Sequence, residues 1–277
     1  MSLEAVLGIL FSGIRLATPY LFAALGETLG QLSGVLNLGV EGVMLLGAYS
    51  AYYVTFRTGD PWLGLLAAIA LGLVMGLLIA LINVTLKAEQ GISGIGVFMF
   101  GLGLSDLLFQ KTIGSVQAVV GFQPVHIPLL SDLPVVGPLL FQHNVLVYAA
   151  FLLVPLLWFL INKTTWGLKV RAVGQNPAAA DALGISVTRV RYSTCVIGGV
   201  LSSIAGASLS IALLNVFQQN LTSGMGFIAV ALVYFGGWSP VGAMWGSLLF
   251  SMVNALQLWI QILGIPIPAD FATMLPY

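Results

Sequence analysis

The stretch NKTTWGLKVRAVGQNPAAADALGISVTRVR, residues 162–191, decides how the rest of the chain is threaded. It is the one long polar interruption with clustered charge among apolar runs. Five of the nine basic residues lie in it (Lys163, Lys169, Arg171, Arg189 and Arg191), against one acid, Asp181. A Lys/Arg excess in a short loop between membrane spans marks the cytoplasmic side. The loop also spells a short helix. Asn176 is a good N-cap, Pro177 suits the first helical position, Ala178 to Leu183 are mostly strong helix formers, and Gly184 suits a left-handed closing residue. A small helix with Ala faces, held between two spans, reads either as a docking element for a cytoplasmic partner or as a connector lying on the membrane.

Working outward, the chain is 59% hydrophobic and 6% charged. A soluble domain carries about 25% charge, so the fold class is all-α, a polytopic integral membrane protein. Net charge is zero, so no basic field points to nucleic acid. Cys195 stands alone in an apolar run and reads as a small packing residue. The N-terminus lacks the basic region and the small-residue cleavage site of a secretory signal, so the first apolar run is expected to be retained.

About nine transmembrane helices are expected. They run over Ala5–Leu25 (or shifted towards Ser33), Leu38–Phe56, Trp62–Leu86, Ile92–Phe109, Asn144–Ile161, Tyr192–Leu214, a short glycine-flanked run Gly224–Gly237, Val241–Leu263, and a last run from Ala269 that stops at Tyr277, before the span is complete. Ala68, Gly72, Gly76 and Ala80 recur every four residues, as do Gly198, Ser202 and Gly206. Such faces let helices approach closely in lipid. In the connection 111–143, Pro124, Pro128, Pro134 and Pro138 exclude a long regular helix. His126 and His143 in it lack the Cys or carboxylate company of a metal site. Alternation puts this loop outside, with Lys87 and loop 162–191 cytoplasmic. The whole of 1–277 reads as one membrane domain. Glycine-rich breaks at Gly34–Gly42 and Gly236–Gly242 precede comparable spans, a pointer to an inverted repeat.

No G-x-x-x-x-G-K-[ST], H-E-x-x-H or G-x-S-x-G occurs, so the chain is not expected to hydrolyse ATP or to be an enzyme, and no cofactor or metal is implied. Ionisable residues at membrane depth suggest a pathway or a partner. Glu41 is the sharpest of these, and Glu27 the next, although either can also serve as a cap or an interfacial group. Asn37 reads as a cap for the second span. Asp106 sits near the outer end of the fourth. Phe98, Phe100, Tyr234 and Phe235 can stack on a flat ligand or pack against lipid.

The string RAVGQNPAAADALGI (171–185) resembles the coupling-helix loop of ABC-importer permeases, in the branch that serves ribose, branched-chain amino acids and nucleosides. LGETLGQLSGVLNLGVEGVMLLGAY (25–49) resembles the glycine-rich second-span entry of that branch and is closest in wording to nucleoside-type permeases. GMGFIAVALVYFGGWSPVGAMWGSLLF (224–250) resembles its C-terminal region. The resemblance implies a permease subunit of an ATP-driven importer in the plasma (cytoplasmic) membrane of a prokaryote. It implies paired halves, a cytoplasmic ATP-binding subunit, a second related permease and an external substrate-binding lipoprotein. It places the coupling contact on Gly174, Asn176, Pro177, Ala178, Ala179, Ala180, Asp181 and Gly184, and the substrate pathway along Glu27, Gln31, Asn37 and Glu41. A nucleoside is the substrate it favours, a small, largely uncharged solute that suits a pathway with few fixed charges. An ion-coupled secondary transporter and a passive channel are the alternatives. The first would need charged relays inside the bundle, and the second needs no docking helix.

Overall fold

The structure, a computed structural model, describes residues 3–126 and 136–262. Among these residues the regular structure is all helical. The elements are α1 (Leu3–Leu32), α2 (Val40–Thr58), α3 (Pro61–Ala80), α4 (Gln90–Thr112), α5 (Val136–Leu140), α6 (Val145–Lys163), α7 (Thr165–Gln175), α8 (Pro177–Ala182), α9 (Val187–Ser208), α10 (Met225–Phe235) and α11 (Pro240–Ile262). The α3 and α9 helices each run on into one wide π-helical turn, Leu81–Thr85 and Leu209–Leu213. Helix ends follow the local sequence. Asp60 caps α3 by accepting from the Trp62 amide at 2.8 Å, with Pro61 in the first helical position. Gly59, at φ 73°, closes α2. The Glu89 carboxylate caps α4, and the amides of Ile92 and Gly91 hold its pKa below the usual carboxylate range.

Six helices among the described residues are long and apolar enough to cross a membrane, not nine. They are Val6–Leu32, Pro61–Thr85, Gln90–Thr112, Val145–Lys163, Val187–Leu213 and Pro240–Ile260. The difference has three sources. The α2 helix is diluted by Glu41, Gly42, Gly47, Ser50 and three tyrosines. The run at 224–237 folds as an 11-residue helix, α10. The run from Ala269, like Pro128 and Pro134 of the long connection, lies outside the described residues. For the first span the two registers considered are both covered, because α1 is one helix of 30 residues with Pro19 inside it.

The α2 helix runs through the middle of the bundle and is buried almost without a break from Val40 to Tyr52. Around it stand α3, α4, α9 and α10. The α3 helix lies along α9, α11 lies along α1, and α1 and α9 lie against each other. Small residues make these approaches. Gly26 of α1 meets Gly198 of α9, and Gly72 of α3 meets Gly199 and Val200. Serines stitch the same seams, with Ser203 donating to the Ala68 carbonyl at 2.6 Å and Ser210 to the Ala48 carbonyl at 2.8 Å. An interhelical hydrogen bond in a membrane is worth only about 0.6 kcal/mol on average. Close packing of backbones therefore holds the bundle, and the serines set its register.

At one end of the bundle the segment 115–123 straps across the helix ends. The amides of Val119 and Phe122 donate to the carbonyls of Asn215 and Ile211 at 2.9 and 2.8 Å, and the Tyr52 hydroxyl donates to the Gln117 carbonyl at 2.8 Å. His143 is buried there against Phe11, with ring centroids 4.7 Å apart. Its Nε2 lies 2.8 Å from the Leu139 carbonyl, and burial lowers its pKa. The basic loop lies at the opposite end, where Arg191 reaches the end of α1 and Thr85, near Lys87, meets Tyr192.

Candidate functional site

Two irregular segments enter the bundle from opposite ends and meet inside it. The first is residues 33–39, between α1 and α2. It begins at the basic end, where Arg191 Nε donates to the Ser33 carbonyl at 3.1 Å and the hydroxyls of Ser33 and Thr194 lie 2.8 Å apart. Gln90, at the start of α4, accepts from the Leu36 amide at 2.8 Å. The segment then climbs to the middle of the bundle. There Gly42 and Gly101 touch backbone to backbone. Gly101 is near the middle of α4, a 23-residue helix about 35 Å long at 1.5 Å per residue. The α2 helix therefore starts near the depth of a bilayer midplane.

The second segment, residues 214–224, comes down from the strapped end to the start of α10. Phe217 buries it between Tyr49, Tyr52 and Phe109, with centroids 5.2–5.9 Å away. Backbone amides in hydrocarbon must find partners inside the protein. At α10 they find Glu41. Its Oε1 accepts from the Gly224 amide at 2.7 Å and the Thr222 hydroxyl at 2.5 Å, and its Oε2 accepts from the Gly226 amide at 2.5 Å. Glu41 is 1% exposed and Thr222 fully buried. The carboxylate is tolerated there because it faces the positive end of a helix and three donors.

The other expected pathway residues form a second cluster, nearer the basic end. Glu27 is buried, and its Oε1 accepts from the Asn37 amide at 3.0 Å and from Gln31 Nε2 at 3.1 Å. Asn37 turns its own Oδ1 to the Gly39 amide, 2.9 Å away, just ahead of α2. Gln31 is half-buried, and its Oε1 accepts from the indole N–H of Trp238 at 2.8 Å. Glu27, Gln31 and Asn37 thus stand together, and Glu41 stands apart from them, deeper in the bundle. Of the aromatics, Phe98 pairs edge-to-face with Phe227 at 5.1 Å and Tyr234 with Trp238 at 5.3 Å, while Phe100 and Phe235 are exposed. Asp106 is half-buried, with one carboxylate oxygen enclosed and unbonded among the described residues.

In the basic loop, Asn176 Oδ1 accepts from the Ala179 amide at 3.0 Å and Pro177 opens α8. Gly184, at φ 80°, ends the turn. Gly174 lies against the Leu32 carbonyl with no room for a side chain. Of residues 175–184 only Ala180 is buried, in a small cluster with Val170, Val173 and Val190. Pro177, Ala178, Ala179, Asp181 and Ala182 are exposed, and Leu183 projects at 82% exposure.

Sequence reasoning missed Thr222, Gly226, Trp238 and Gln90. The string TSGMG at 222–226 carries a legible signal, a hydroxyl and two glycines at the start of the short apolar run 224–237. A further break lies at 214–224, ahead of α10, in addition to the break at Gly236–Gly242, where Gly236 and Gly242 touch across the turn into α11.

The model of branched-chain amino acid transport system permease components matches residues 9–277. TsgC13 of Haloferax volcanii, a permease provisionally assigned to glucose ABC transport, is 39% identical over 93% of this chain and 79% of its own. The nucleoside ABC transporter permease protein NupC of Lactococcus lactis is 34% identical over 94% of this chain and 86% of its own. The guanosine ABC transporter permease protein NupQ of Bacillus subtilis has the same identity and coverage. No solved structure matches the chain.

Proposed function

The chain belongs to the branched-chain amino acid transport system permease family, and from that premise we propose that it carries nucleosides along the seam where its two re-entrant segments meet. It is the permease subunit of an ATP-driven importer and a multi-pass plasma-membrane protein. It has no ATPase of its own, and it works with an ATP-binding subunit and a substrate-binding protein. The whole of 1–277 serves as one membrane domain, paired with a second related permease. The external binding protein is a lipoprotein.

In this reading α1–α3 and α9–α11 are inverted repeats, supported by the way α3 lies on α9 as α11 lies on α1. The nine membrane segments are the six long helices, the central α2, the half-length α10 and the final run from Ala269. Loop 162–191 is cytoplasmic, and 111–143 is outside. Cysteines placed at Gln175 and at Val120, both exposed, should then react with an impermeant thiol reagent from opposite sides. Cys195 is buried and should stay silent. Reaction of both sites from one side reverses or breaks the topology.

Gln31, half-exposed beside Trp238, meets the solute, while Glu27 and Asn37 shape the path behind it and Glu41 shapes it at mid-depth. The Gly174–Gly184 loop docks in the ATP-binding subunit through Asn176, Pro177, Ala178, Ala179, Ala180 and Asp181, and transmits its motion. Phe98–Phe227 and Tyr234–Trp238 offer aromatic faces to a flat base.

The observation that carries the substrate class is the pair of nucleoside and guanosine permease relatives. A hexose is the second reading, favoured by the Haloferax relative. Uptake into proteoliposomes holding the complete importer decides between them. Purine or pyrimidine nucleosides should compete with a labelled nucleoside, and glucose, ribose and branched-chain amino acids should not. Competition by glucose alone replaces the nucleoside reading with the hexose one. Uptake driven by an ion gradient without ATP overturns the importer reading.

A further inference from the structure

The first turn of α10 has no capping side chain of its own. Its N-cap, Gly224, sits in the left-handed region at φ 88° and makes no side-chain cap bond. The amides of Gly224 and Gly226 are closed instead by a carboxylate from another helix. Glu41 is the second residue of α2, so a side chain in the first turn of one broken helix caps the first turn of the other. The two turns also touch directly, since a Cβ on Gly226 would stand 2.6 Å from the Glu41 amide nitrogen and Cα. Gly226 is therefore what lets the carboxylate reach all three donors.

We infer that Glu41, Thr222 and Gly226 form a clamp that makes α2 and α10 one moving body during transport, with Thr222 and Gly226 as positioning residues that act through Glu41. Three features support this. Both carboxylate oxygens are engaged, and every donor named belongs to the α10 side. Apart from this junction, α10 packs mainly on α1 and α11, whereas α2 packs mainly on α9, α3 and α4. The clamp thus ties one helix group to the other at the middle of the bundle. Breaking it would leave two amides and a carboxyl group, buried in the protein interior beside the pathway, without their partners. A transport cycle that slid α10 past α2 would pass through that state, so the moving boundary lies elsewhere.

This inference rests on the importer reading, and the experiment separates the two. ATP-dependent uptake by the unsubstituted importer tests that reading. The clamp is tested by comparison with Thr222→Val, which keeps the shape and deletes one of the three donors to the Glu41 carboxyl group. Thr222→Val should lower the maximal uptake rate about tenfold while KM stays within about twofold, and Thr222→Ser should restore the rate. Spin labels at Thr58, on the outer end of α2, and Ala231, on α10, both exposed, report the body itself. In the unsubstituted clamp their distance should be the same in nucleotide-free and ATP-trapped importer, and in Thr222→Val the distribution should broaden. The inference is overturned by a shift of more than about 5 Å between the two states with the clamp intact, the scale of a one-turn slip. It is also overturned by parent-rate uptake in Thr222→Val. The distance in the intact clamp decides even where the Val chain fails to assemble.

Discussion

Ala179→Arg should abolish ATP-dependent uptake while leaving the protein folded and inserted. The α8 helix is six residues long, too short to be stable alone, since isolated helices need about 12–15 residues. It is held by the Asn176 cap, by Pro177, and by Ala180 buried against Val170, Val173 and Val190. Ala179 is exposed and takes no part in that cluster. Arg is a strong helix former, so the substitution leaves the helix and its anchor intact and changes only the surface offered to a partner. A bulky charge in a docked interface typically costs about 2 kcal/mol or more, roughly thirtyfold in affinity, and transport that depends on that contact should fall at least as far. Ala180→Arg is the contrasting case, because a charge forced into the cluster should loosen the loop itself and lower thermal stability. Uptake and pull-down of the ATP-binding subunit separate the two effects. Full uptake by Ala179→Arg would return α8 to a connector lying on the membrane surface.

That contrast shows what the sequence could and could not say about this loop. Asn176, Pro177 and Gly184 are local signals, and each sits where its cap chemistry requires. Which alanine faces inward is a tertiary fact, set by Val170, Val173 and Val190, and three alanines in a row carry no periodicity to reveal it. The same limit applies on a larger scale. Helices that face lipid, such as α3, are apolar all along and legible by hydropathy. The α2 helix faces protein on every side, so its Glu, Gly, Ser and Tyr residues are no liability, and hydropathy marks it poorly. Glu41 stood out because a carboxylate in such a run is expensive. Its partners did not, because Thr222, Gly224 and Gly226 lie more than 180 residues away and two of the three donors are backbone amides, which no residue type announces. The spacing of Gly198, Ser202 and Gly206 marked close approaches on α9, but not that Gly198 would meet Gly26 of α1 and Gly206 the Met44 carbonyl of α2.

That face carries the other large effect. Gly206→Leu should prevent the chain from accumulating as a folded protein. At Gly206 the α9 backbone lies on the Met44 carbonyl of α2, and any Cβ would overlap that oxygen. The carbonyl sits inside α2, where it is fixed by its own helical bond, so it has no rotamer with which to yield. One turn away Gly47 meets Ser203 in the same manner, and Ser203 and Ser210 donate to the Ala68 and Ala48 carbonyls across the neighbouring seams. Overpacking that can relax costs about 1–3 kcal/mol. Here relief requires α2 and α9 to separate, which would pull the Ser210 bond to Ala48 and the Gly47–Ser203 contact with it. The sum is a large part of the roughly 5–15 kcal/mol that separates folded from unfolded protein. Gly206→Ala should already lower the melting temperature. Gly103→Leu on α4 is the matched control, because nothing lies within 4 Å of a Cβ there. The measurement is monodispersity and thermal unfolding in detergent. If Gly206→Leu and Gly103→Leu melt together, α2 and α9 are not in backbone contact and the central position of α2 is wrong. If only Gly206→Leu fails, the approach of those two helices is what holds Glu41 at mid-depth.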